Sequence, residues 1–80
     1  MVIREEVLGV VLMRTSVLPD AVRYEVVAPN GVVHSEVVPI SRRRGHEPGG
    51  RAFQRAAALQ EKRAFEHERQ ARIERRAWLE

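Results

Sequence analysis

The chain of 80 residues contains no cysteine. That absence excludes a disulfide framework, thiolate zinc sites, iron–sulfur clusters and thiol catalysis together, and removes the usual staple of small secreted domains. Aromatic residues are few: one Trp, one Tyr and two Phe. Lysine is nearly missing, since Lys62 is the only Lys among fourteen basic residues and the rest are Arg. Long hydrophobic runs are also lacking. The longest, Val7 to Met13, is interrupted by Gly9 and falls far short of the ~20 residues that cross a bilayer as a helix. Arg4, Glu5 and Glu6 precede that run and no small-residue cleavage site follows, so the reading is no signal peptide and a cytoplasmic or cytoplasm-assembled protein.

The composition, 44% hydrophobic and 31% charged, is too apolar for wholesale disorder. A domain of this length buries only ~60% of the surface its unfolded chain exposes, so any core is thin.

Charge and composition divide the chain in two. Residues 1–40 carry three basic and five acidic groups, net −2, whereas residues 41–80 carry eleven basic and six acidic groups, net +5. The first half is rich in valine and punctuated by Pro and Gly. The second changes to Ala, Arg, Glu and Gln, with no Pro after Pro48. This predicts an α+β protein: a three-stranded antiparallel β-meander over 1–40, a basic Gly/Pro hinge over 41–50, and one long amphipathic C-terminal α-helix over 51–80.

Within the meander, Val2 to Arg14 reads as one strand bent at Gly9 and apolar on both faces, as if covered on two sides. Thr15 to Asp20, with Pro19, reads as the connection. Val22–Ala28 and Val32–Val38 flank Pro29-Asn30-Gly31, a strong hairpin signal. A two-residue Asn30-Gly31 turn puts Val22, Tyr24, Val26 and Ala28 on one face with Val33, Val37 and Pro39, but sets Glu25 opposite Glu36. A three-residue turn removes that like-charge pair and places Glu36 on the apolar face. The cleaner segregation favours the two-residue turn.

On the helix, Ala57, Ala64, Ala71 and Trp78 recur every seven residues, with Phe53 one turn earlier and Phe65 and Leu79 at the edge of the stripe. Gln60, His67 and Glu74 occupy the positions between, so a full a/d seam is absent and a long autonomous coiled coil is not expected. The stripe, Phe53, Ala57, Ala64, Phe65, Ala71, Trp78 and Leu79, is the candidate partner-binding set. Its first half packs on the sheet and its end projects with an exposed aromatic; a fraying terminus is the bland alternative.

Arg55, Lys62, Arg69 and Arg76 also recur every seven residues, about 160° around the axis from the alanines. Together with Arg42, Arg43, Arg44 and Arg51 they form a candidate phosphate-binding set. Gly45, Gly49 and Gly50 lead into a helix N-terminus that favours anions, although no Gly-Lys-Ser/Thr ending accompanies them. The competing explanations are a solvated helix face, partly neutralised by Glu66 and Glu80, and a flexible basic linker.

Catalysis has little footing. His34, His46 and His67 fall on a strand, the hinge and the helix without metal-ligand spacing, and no nucleophile–base set is recognisable. No catalytic residue, metal, cofactor or small-molecule substrate is assigned. The expected function is a non-enzymatic assembly or adaptor protein that forms a homo-oligomer or joins a larger protein complex. The alternative is a nucleic-acid-associated protein that clamps phosphates.

Overall fold

The computed structural model describes residues 1–40 and 49–79. It is α+β, with four antiparallel strands and one C-terminal helix: β1 (Val2–Leu8), β2 (Val11–Val17), β3 (Ala21–Ala28), β4 (Gly31–Pro39) and α1 (Arg51–Leu79). The strands follow one another in the sheet in chain order.

Four strands replace the expected three because Gly9 makes a hairpin, not a bend. Its φ of 60° opens a two-residue turn with Val10, closed by the Leu8–Val11 pair. A left-handed Gly followed by a residue with negative φ is the pattern of a II′ turn, which matches the twist of the strands it joins. The run that looked apolar on both sides is therefore two strands. Thr15 to Val17, expected in a connection, belong to β2, and β1 is an exposed edge, not a strand covered on two sides. The β2–β3 turn at Pro19-Asp20 is closed by the Leu18 N–H donating to the Ala21 carbonyl at 2.8 Å.

The register of the third hairpin also differs from the favoured reading. Ala28 pairs with Gly31 around Pro29-Asn30, and a bulge between Val26 and Val27 then shifts the ladder, so that Tyr24 faces Glu36 and Glu25 faces Ser35. Gly31, with φ of 122°, supplies the conformation that the turn-plus-bulge needs. This register, unlike that of an Asn30-Gly31 turn, does not set Glu25 opposite Glu36, and the bulge puts Val38 against the helix while Val37 faces outward half-exposed. The register avoids opposed carboxylates in exchange for a half-buried Glu36 on the helix side of edge strand β4.

The helix lies across one face of the sheet. Near its start, Phe53 and Ala56 pack with Val22, Tyr24 and Val38; further along, Ala64 packs with Val11 and Val26, with Leu8, Met13 and Val33 around them. Alanines on the packed face bring the helix backbone close, at the cost of little buried area per residue.

Candidate partner interface

Gln60 lies between the two apolar clusters and is buried. Its Nε2 donates to the Arg14 carbonyl at 3.1 Å and to the Glu25 carbonyl at 3.0 Å, so one side chain ties the middle of the helix to adjacent strands. Two turns later Glu68, also buried, accepts from the Val10 N–H at 3.0 Å and pairs with Arg72 at 3.3 Å. Gln60, Ala64 and Glu68 run at i, i+4 and i+8 down the packed side. Polar Gln60 and Glu68 on the packed side are the signal that could have marked them as latches; in the sequence Gln60 registered only as a break in a seam.

The candidate partner residues separate by height along the helix. Phe53 and Ala64 are used within the chain, and Ala57 and Ala71 are half-covered by the sheet. Phe65 and Trp78 remain exposed, Trp78 at 90%. From Arg72 to Trp78 every residue is exposed. The reason is length: 29 residues of helix span about 43 Å, while strands of seven to nine residues span roughly 23–30 Å. Arg42, Arg43, Arg44, His46 and the side chain of Leu79 lie outside the described residues, as do most of the expected hinge and Glu80.

The outward side of the helix is basic. Arg51, Arg55, Lys62, Arg69 and Arg76 are all exposed there, distributed over about 37 Å of helix axis. Among the described residues none of the five lies within salt-bridge distance of a carboxylate: Glu66, expected to dilute Lys62 and Arg69, pairs with Arg63 at 2.9 Å, and Glu68 turns inward to Val10 and Arg72. A shallow concavity of about 690 Å³ is bordered by Phe65, Arg69, Arg72, Ile73, Arg75 and Arg76. All six belong to one helix, so this is an open surface and not a water-excluding pocket.

The opposite face of the sheet carries no packed element among the described residues. Arg14 and Glu25, neighbours across β2 and β3, form an ion pair there at 3.3 Å. Among the described residues no three His, Asp or Glu side chains gather closely enough to hold a metal ion. None of the described helix is long and apolar enough to cross a membrane. Comparison with protein-family models, with curated proteins and with solved structures finds no match to the chain.

Proposed function

We propose that this protein is a small non-enzymatic assembly or adaptor protein, acting in the cytoplasm through contacts with copies of itself or with a larger protein complex. The observation that carries this reading is the free end of α1, where Arg72 to Trp78 project past the sheet and the single Trp of the chain is 90% exposed. An exposed indole on a helix segment that also carries Arg72, Arg75 and Arg76 has the composition of an interface anchor. Native mass measurement of the complex recovered from its source tests it. The expected result is a species heavier than the 9.2 kDa chain whose mass falls with Trp78→Ala; recovery of a bare monomer refutes the reading.

The basic outward face of α1 supports a second reading, a clamp on nucleic-acid phosphates. Five exposed cations along one helix side suit a polyanion in sign. Its signature is salt: affinity for duplex DNA falls with log[salt] at a slope near −0.9 for each phosphate contacted. Replacing Arg55, Lys62, Arg69 and Arg76 with Gln, which preserves helix propensity, removes retention on nucleic acid under this reading, while Trp78→Ala leaves it intact.

A further inference from the structure

The open face of the sheet is ordered in rows by the strand register. Val7, Leu12, Val27 and Val32 are successive partners across all four strands, a continuous apolar row. Its ends are open to solvent, Val7 at 74% and Val32 at 51%. The next row in the same direction on this face is Glu5, Arg14, Glu25 and Ser35, and the one after it is Val2, Ser16, Arg23 and Val37. The two Glu and two Arg cancel, so this face is neutral where the helix face is strongly basic.

We propose that a second copy of this chain covers this face, giving a dimer with two sheets packed face to face and the helices outermost. The proposal rests on the self-association branch of the assembly reading and names its partner and surface. A twofold axis between the sheets, parallel to the strands, lays β1 over the second copy's β4 and β2 over its β3. Each row then meets itself in reverse order. Val7 comes over the second copy's Val32 and Leu12 over its Val27. In the charged row Arg14 comes over Glu25 of the second copy, and Glu5 over its Ser35. No like charges oppose each other in these three rows, which is the self-complementarity an isologous interface demands. Aligned sheet packing, with its angle of about 30°, keeps the central pairs of each row facing and slides the end pairs by about 4 Å along the strands, still within reach of long side chains.

Other surfaces suit a second copy less well. Two basic helix faces repel each other. Adding a copy edge to edge at β1, aligned so that Arg4 meets Glu6, sets Glu5 against itself at the twofold. Size agrees with the sheet face. Four strands about 4.8 Å apart and about 23 Å long project roughly 440 Å² per copy. The pair therefore hides close to the ~1,000 Å² that a specific interface requires once side-chain relief is counted.

The test is sedimentation of the full chain and two variants, Val7→Lys and Val32→Glu, with circular dichroism confirming that each folds. Both positions are exposed in the single chain, so neither substitution disturbs its core. The wild type should sediment at twice the chain mass, and each variant alone should dimerise at least ~10-fold more weakly. An equimolar mixture should recover the dimer, because Lys at position 7 of one chain then faces Glu at position 32 of the other while the second Val7–Val32 contact stays apolar. A monomeric wild type at ~100 μM overturns the proposal, and so does a mixture no tighter than the separate variants. If both variants dimerise like wild type and Trp78→Ala does not, the sheet face is not the interface, yet assembly through the helix end stands.

Discussion

The Glu68 carboxylate accepts the Val10 N–H at 3.0 Å across 58 residues of chain, holding the β1–β2 turn against the helix. Gly9 sits directly beneath this contact, and a Cβ built there would fall within the Glu68 carboxylate. Turn and latch are thus one unit: the positive φ of Gly9 aims the Val10 amide, and the missing side chain leaves room for the acid that receives it.

Gly9→Ala is expected to destabilise the fold by more than ~2 kcal/mol, combining left-handed strain with the clash. Glu68→Ala should cost about 1.5–3 kcal/mol, the range for a hydrogen bond to a charged group. Urea unfolding of the double variant checks the coupling. With the carboxylate gone, Gly9→Ala should retain only its backbone strain, so the two effects should sum to more than the double variant loses.

At Gly31 the surroundings are empty, with no atom within 4 Å of a would-be Cβ, while φ is 122°. Only backbone conformation is at stake. Gly31→Ala is expected to lower stability by at least ~1 kcal/mol, and a synthetic chain carrying D-Ala at this position should recover it, since the mirror-image residue accepts positive φ. Equal stability of the L and D forms would contradict the turn-plus-bulge geometry.

Gln60→Met keeps length and volume but removes both donations to the Arg14 and Glu25 carbonyls. A loss of about 1–3 kcal/mol is expected in chemical unfolding. Hydrogen exchange gives a sharper readout: amides in the middle of α1 should lose protection in this variant, whereas those from Arg72 onward exchange fast in both proteins.

Burial against Phe53 raises the Tyr24 phenol above its ordinary value of 10.0. Above pH 10 the unfolded chain therefore releases this proton more readily than the folded one. The stability that neutral Tyr24 contributes is complete below 10.0 and is lost as pH climbs through the raised folded value. Comparison of urea midpoints at about pH 9 and about pH 11 should show a smaller decline for Tyr24→Phe than for wild type. An identical decline would show that Tyr24 titrates alike in both states.

Residue chemistry alone determined the division into a valine-rich sheet and an alanine–arginine helix, the hairpin at Pro29-Asn30-Gly31, and the opposed alanine and basic helix stripes. These are local or periodic properties, carried by β-branching, turn chemistry and a 3.6-residue repeat. Tertiary structure decided what depends on pairing. Whether Gly9 bends one strand or joins two turns on whether Val7 finds Leu12 as a neighbour, and nothing in an unbroken apolar run announces it. The register of β4 followed from a one-residue bulge that reverses which of Val37 and Val38 meets the helix. Gln60 and Glu68 became latches only because small neighbours let the helix approach the sheet until their polar ends reached backbone partners. The open-face rows likewise exist only in the folded sheet, since residues as distant as Val7 and Val32 become one surface through three successive strand pairings, a relation that spacing along the chain does not encode.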